Sequence, residues 1–417
     1  MTSMAKERTR AARLRALGIG NAMLAVAAPG AAWAQNLDAG IDVRLSGEVV
    51  SNPYLDQGDA EPTAAVNAEV RPWLRQQTEV TSFNLSAFAQ ARQFADGQDL
   101  EDNYGVSASL SHRASQRVTL TARADVQSTA SRLNAVFPGL DPNPATPVPE
   151  PLPLDPGLGV DPTLLGTRGR TTTVNGGIGT QYAIDERRSL QIDLDLEDLD
   201  FTHANAQDYR THGVATTLMQ VVDATTSVGA ALNFRQTDYD SPTVPDARIF
   251  LAMGSVSHRL DERWTLEASA GASMTQLEAV GTFARREATS IAATASLCRR
   301  EERGSLCVDY ERQPQPTGLG QVRNTDTASL SYNREWSVRN RLSVGASYSR
   351  SGSAVNVSTP VSETEYLTVR ATLERAFNER VSGFVTASTS RVFGSNLAIE
   401  PDIDVGLGLH IRLGRQT

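Results

Sequence analysis

Asp193, Asp195 and Glu197 are the densest chemical feature of the chain, three acids at every second position. Spacing of two puts all three on one face of an extended strand, as a ladder of negative charge. The stretch ahead of it carries Asn175, Gly177, Gly179 and Gln181 on the matching face, with no arginine among them and open space over the glycines. Two readings stay open: a stripe that draws cations into an aqueous passage, or solvated charge paired with the following strand. After Glu197 the apolar positions shift to Leu199 and Phe201, which predicts a β-bulge near Asp198. Arg44, Arg71, Arg92, Arg123, Arg235 and Arg370 fall on the polar faces of other alternating runs, so an enclosed interior would be mixed in sign.

The only cysteines, Cys298 and Cys307, flank a turn at residues 299–306. Ile291, Ala293, Ala295 and Leu297 share one face before the turn, and Leu306, Val308 and Tyr310 share one face after it. If Leu297 opposes Val308, Cys298 opposes Cys307 on the polar side, and a structural disulfide follows. Nothing beside the pair has metal-ligand or redox spacing. The five histidines, His112, His203, His212, His258 and His410, are scattered, and no nucleophile elbow, zinc-helix motif, phosphate loop or calcium loop occurs. No catalytic, cofactor or metal site is expected, and the chain reads as a non-enzyme.

The elements that must carry these residues are long alternating strands. Val118, Leu120, Ala122, Ala124 and Val126 alternate with Thr119, Thr121, Arg123 and Asp125; Leu190, Ile192, Leu194 and Leu196 alternate with the acidic ladder. A short polar turn carrying an arginine (Arg117, Arg187, Arg263, Arg303, Arg341, Arg380) recurs about every 38 residues, the length of one long β-hairpin with its turns. Runs fall at roughly 40–51, 62–74, 80–94, 104–113, 117–129, 169–183, 189–201, 209–221, 227–238, 247–259, 264–276, 286–298, 305–313, 325–336, 341–351, 363–375, 381–392 and 401–413. Transmembrane strands need roughly 9–11 residues, and these runs reach that length. The expected fold is all-β: a transmembrane antiparallel β-barrel of about 18 strands over residues 35–417, with short periplasmic turns and longer extracellular loops. Trp73, Tyr182, Trp264, Trp336 and Phe377 sit beside short turns. Tyr54, Phe94, Tyr104, Phe201, Tyr209, Tyr239, Phe250, Phe283, Tyr366 and Phe393 sit toward long loops, so two interfacial girdles are expected.

Residues 1–34 read as a signal peptide. Lys6, Arg8, Arg10, Arg13 and Arg15 precede the apolar stretch 17–28, and Ala32-Trp33-Ala34 is a cleavage site. The formal net charge is −9 for the whole chain and becomes more acidic once that basic segment is removed. Such a balance argues against a nucleic-acid partner. Residues 138–163 hold a run of prolines with interspersed leucines, in the longest outer loop. Such a segment is a constriction folded into the mouth, an exposed binding arm, or a disordered loop. The last strand, Asp404-Val405-Gly406-Leu407-Gly408-Leu409-His410-Ile411, resembles the signature by which the barrel-assembly machinery recognises outer-membrane proteins, with Gly406, Leu409 and Ile411 in the signature positions.

The signal, the early stretch 47–54 (Gly-Glu-Val-Val-Ser-Asn-Pro-Tyr) and the many Ser/Thr/Ala-rich strands resemble the outer-membrane β-barrel porin proteins associated with bacterial exopolysaccharide synthesis and export. The resemblance implies an integral outer-membrane protein acting as a passive channel or accessory component for polysaccharide export, with polysaccharide and export-system proteins as partners. Outer-membrane lipid and lipopolysaccharide surround any such barrel. Two alternatives stand beside this: a plugged structural or adhesive barrel, and a general diffusion porin. The fold does not choose among them.

Overall fold

The computed structural model describes residues 37–53, 55, 61–95, 100–130, 169–202, 206–281, 284–354, 363–393 and 399–414. The expected signal peptide, the proline-rich segment 138–163, Tyr54 and Phe283 lie outside the described residues. Eighteen strands follow one another: β1 Leu37–Val50, β2 Thr63–Gln77, β3 Thr81–Phe94, β4 Glu101–Arg113, β5 Val118–Thr129, β6 Thr171–Ala183, β7 Arg188–Phe201, β8 Tyr209–Val221 and β9 Thr226–Tyr239. The second half continues with β10 Ala247–Arg259, β11 Trp264–Leu277, β12 Arg286–Glu301, β13 Gly304–Thr317, β14 Gln321–Ser337, β15 Asn340–Ser353, β16 Thr364–Ala376, β17 Val381–Phe393 and β18 Asp402–Gly414. Each pairs antiparallel with its sequence neighbours, and β18 pairs with β1 from Gly40↔Gly414 to Val50↔Asp404, closing the sheet. Closure removes both edges, so no row of strand amides is left unpaired in an apolar medium.

Alternation decides which side of the wall each residue takes. Leu194 is 48% exposed and Leu407 70%, and Val405, Leu409, Ile178, Leu232 and Ile291 also point outward. A soluble protein would not carry such a band around its whole girth. The chain is an integral β-barrel of the outer membrane, with its band facing acyl chains. The 209–221 strand turns its odd residues inward: Thr211, Ala215 and Thr217 are buried while Leu218 is exposed.

The short turns explain the arginine metre. Each is two to four residues long, and β1 begins and β18 ends on that same side, the periplasmic one. Asp185 accepts the N–H groups of Arg187 and Arg188 (2.9 and 2.8 Å), and Asp261 does the same for Arg263 and Trp264 (2.7 and 2.8 Å). Asn378, Ser115 and Ser337 hold their turns in the same way, the side-chain oxygen standing in for a backbone acceptor. The last turn residue then offers its carbonyl to the next hairpin: Ala183 N–H donates to Arg117 O (2.8 Å), Arg300 to Arg263 (2.9 Å) and Arg412 to Arg380 (2.8 Å). In the turn before β15 that position belongs to Arg339, whose carbonyl accepts from Ala376 (2.7 Å). Arg341, expected there, lies within β15 and pairs with Glu335 at 2.6 Å.

Three expectations are corrected. No bulge occurs near Asp198: the register with β6 runs evenly from Asn175↔Glu197 to Thr171↔Phe201. Leu199 is apolar and inward because it packs in the mouth with Tyr209 and Tyr239, not because the strand changes phase. The outer girdle is accordingly incomplete. Tyr104 and Phe250 are exposed on the outside, but Phe94, Tyr209, Tyr239 and Tyr366 are buried. At the other end Tyr182, Trp336 and Phe377 are exposed, whereas Trp73 lies over Gly40. Finally, β13 and β14 run past the expected limits into a tight extracellular turn at Gly318-Leu319-Gly320. Pairing of β13 with β12 stops at Arg312, so Pro314 and Pro316 fall where the missing N–H groups face an unpaired side.

This extended hairpin leans onto the mouth. Gln207 N–H donates to Gly318 O (2.6 Å) and the Tyr239 hydroxyl to Gln321 O (3.2 Å). Gly320 has φ +72° and lies so close to Val244 that a Cβ would meet its methyl at 2.6 Å, so both backbone and space call for glycine. Beneath it the wall folds sharply. A Cβ on Gly271 would run into the Ala252 carbonyl, and across that crease Leu251 and Met253 of β10 pack on Ala292 of β12.

Candidate functional site

The acidic ladder stands on a glycine floor. Asp193 lies over Gly179, where a Cβ would collide with its carboxylate, and Asp195 lies over Gly213 at 2.7 Å. The space expected above the β6 glycines is therefore filled by neighbouring side chains. Arg123 from β5 crosses Gly177, its Nε 3.0 Å from where a Cβ would be, and acts electrostatically on Asp193. Arg235 of β9 does the same for Glu197. The ladder is thus flanked by arginines two strands away on either side. Adjacent-strand reasoning missed them because glycine lets a long side chain lie flat across one strand and reach the next.

Arg370 belongs elsewhere, at the seam where the barrel closes. There Arg92 pairs with Glu48, lies 3.5 Å from Asp404 and 3.9 Å from Glu101, and Arg370 acts on the same two acids, Glu48 and Asp404. Toward the periplasm His410, only 2% exposed, sits between two carboxylates: Nε2 to Asp42 at 3.2 Å and Nδ1 to Glu374 at 3.3 Å. Both ring nitrogens donate at once only in the doubly protonated ring. Arg412 donates to Glu374 at 3.2 Å, and the Ser382 hydroxyl donates to the same carboxylate. Between these groups lies a cleft of about 160 Å³, lined by Arg44, Glu69, Thr372, Phe384, Thr386 and Ser388 among others. The signal for this cluster was parity: Asp404 and His410 are even-numbered in a strand whose odd residues face lipid.

Gly406 of the final strand faces the lumen, where a Cβ would stand 3.3 Å from the Glu48 Cβ, and Leu409 and Ile411 face out. Cys298 and Cys307 oppose one another and are joined by a disulfide, with a Cα–Cα distance of 4.1 Å. Among the described residues no group of three or more His, Cys, Asp or Glu is placed to hold a metal ion.

No family model and no curated protein matches the sequence. Solved structures resemble it in outline. Pseudomonas aeruginosa OccK2 (OpdF) in complex with glucuronate shares 11% identity over 91% of this chain and 98% of that one, with a TM-score of 0.46. Acinetobacter baumannii OccAB3 shares 9% over 91% and 99%, at 0.42. The siderophore receptor PirA from Pseudomonas aeruginosa shares 11% over 91% and 80%, also at 0.42. At that level of similarity the strand order, rather than the likeness, establishes the barrel.

Proposed function

We propose that this barrel is a passive, water-filled diffusion channel for small hydrophilic solutes. The observation that carries the reading is the inner wall. Charged and hydroxylated side chains line it from the periplasmic rim (Asp42, Arg412) through the middle (Asp193, Arg123) to the outer half (Glu48, Asp404). Eighteen strands enclose room for an aqueous lumen, as 16–18-stranded porins do. Hydration of such a wall is the cheapest way to satisfy it, because an unsolvated charge costs several kcal/mol.

Polysaccharide passage is the narrower reading and rests on the family resemblance alone. A barrel with a closed mouth is the second reading, favoured by the β13–β14 hairpin and the apolar cluster of Leu199, Tyr209 and Tyr239 under the outer rim. The Gly406, Leu409 and Ile411 positions are proposed to serve assembly, and the Cys298–Cys307 bond to brace the β12–β13 hairpin. No catalytic role is proposed. Liposome swelling separates the readings: vesicles holding the mature protein should swell in isosmotic monosaccharide faster than empty vesicles. Equal rates would favour the closed barrel.

A further inference from the structure

We infer that the outer wall, on β8 to β12, carries a docking groove for one molecule of the phosphorylated, hydroxyacylated glycolipid that anchors lipopolysaccharide. A hollow of about 510 Å³ crosses these strands. Two rungs of the sheet line it from the membrane side. Val214, Phe234, Phe250, Met274 and Thr289 form the upper rung, and Thr216, Leu232, Ala252 and Ala272 the one below. Leu232 is 64% exposed and Phe250 39%, and Ala252 and Ala272 are exposed beside them. The Phe234 and Phe250 rings lie against each other, centroids 4.9 Å apart, on the extracellular side of a low floor made by the two alanines. A cavity of ~150 Å³ takes the six carbons of benzene, so this hollow has room for about twenty carbons, one acyl chain and part of a second. Phe250, Met274 and Thr289 each stand close to the extracellular end of their strand, which places the groove in the leaflet that holds lipopolysaccharide.

Polar groups in and above the groove select this occupant over plain hydrocarbon. Thr216 and Thr289 carry hydroxyls on the lipid face, and neither hydroxyl makes a hydrogen bond among the described residues. Saturated chains offer them no partner, whereas the 3-hydroxyl and ester oxygens of hydroxyacyl chains do. Arg248 lies two residues beyond Phe250 toward the outside, roughly 7 Å along the strand, at the height a headgroup would take. It pairs with Glu278 at 2.7 Å, and Arg285, at the outer end of β12, pairs with Glu287 at 2.7 Å. All four side chains are between 42 and 63% exposed. Ion pairs that open to solvent hold weakly, so a phosphate can take a carboxylate's place at small cost. A guanidinium presents paired N–H groups to phosphate, which fixes the headgroup's orientation as well as its charge.

The site lies outside the wall and stands whether or not the lumen conducts. The test titrates the mature protein, refolded in lipid-free detergent, with diphosphoryl lipid A and separately with phosphatidylglycerol, and counts retained lipids by native mass spectrometry. One lipid A should stay bound under activation that strips phosphatidylglycerol. Ala272→Phe fills the floor with a side chain that lipid tolerates and should lower lipid A occupancy at least tenfold. Ala252→Leu should act in the same direction with a smaller intrusion. The control Ala387→Phe, at an exposed position on β17 far from the groove, should leave occupancy unchanged. Arg248→Gln should weaken retention severalfold, and Arg248→Lys should restore part of it. Every variant should keep heat-modifiable mobility on gels, the mark of a folded barrel. Equal retention of the two lipids, or unchanged occupancy in both groove-filling variants, would overturn the inference. So would a dimer that Ala272→Phe takes apart, since the groove would then be an interface between copies of the chain.

Discussion

Single residues in the periplasmic turns should make the barrel acid-sensitive. Asp185, Asp223 and Asp261 all lie outside the membrane, and each has its carboxyl held below the ordinary carboxylate range. For Asp185 the causes are the Arg188 side chain and the Arg187 N–H, for Asp223 the Thr225 hydroxyl and N–H, and for Asp261 the Arg263 and Trp264 N–H groups. A lowered folded value means the stabilisation is complete above the unfolded value, about 3.9, and is lost as pH falls through the folded one. Resistance of the turns to urea-dependent opening should therefore decline below roughly pH 4. Replacing all three by Asn, which keeps the accepting oxygen as Asn378 does naturally, should flatten that decline; an unchanged slope would remove these groups as its cause. At this scale the sequence was partly legible. The arginine spacing marked the turns, but the acceptor two residues ahead does the holding, and arginine is the position whose carbonyl ties hairpin to hairpin. The companions of the acidic ladder were not legible, since Arg123 and Arg235 reach it only across intervening strands.

At the scale of strands, period-two alternation carried almost everything. All eighteen runs are strands, and β7 shows why: Leu194 and Asp195 are adjacent and take opposite sides of the wall. Leu194→Arg should impair assembly, since an arginine facing lipid near the midplane costs about 2–4 kcal/mol. Asp195→Arg should assemble normally and shift ion preference toward anions. Heat-modifiability on gels checks the first and reversal potential the second; equal assembly defects in both would contradict the inward and outward assignment. What alternation could not show is how far a strand runs beyond the membrane. The pattern Gln313-Pro-Gln-Pro316 looks like a loop because proline is rare in a paired strand. Here it forms one, since pairing with β12 has already stopped at Arg312 and the proline side needs no partner. The inward aromatics follow the same logic: beyond the bilayer the wall still alternates, and Leu199, Tyr209 and Tyr239 pack against each other where no lipid remains.

For the whole molecule, closure and sidedness were readable from an even strand count and alternating turn lengths, while the shape of the cross-section was not. The close approach of β10 and β11 at Gly271 and the hairpin leaning over the mouth both lie on the β8–β14 side. The charged cleft lies on the opposite arc, between β15 and β3. These are three-dimensional consequences of one missing Cβ and of loops meeting across the rim, so no local pattern announces them. As a passive channel, the barrel should still pass water and ions. Planar-bilayer recording of the refolded mature chain in potassium chloride tests it most directly. A passive channel predicts repeated, stable, ohmic current steps from protein that is heat-modifiable on gels. Protein that is folded by the same criterion and inserts without any current step would contradict it.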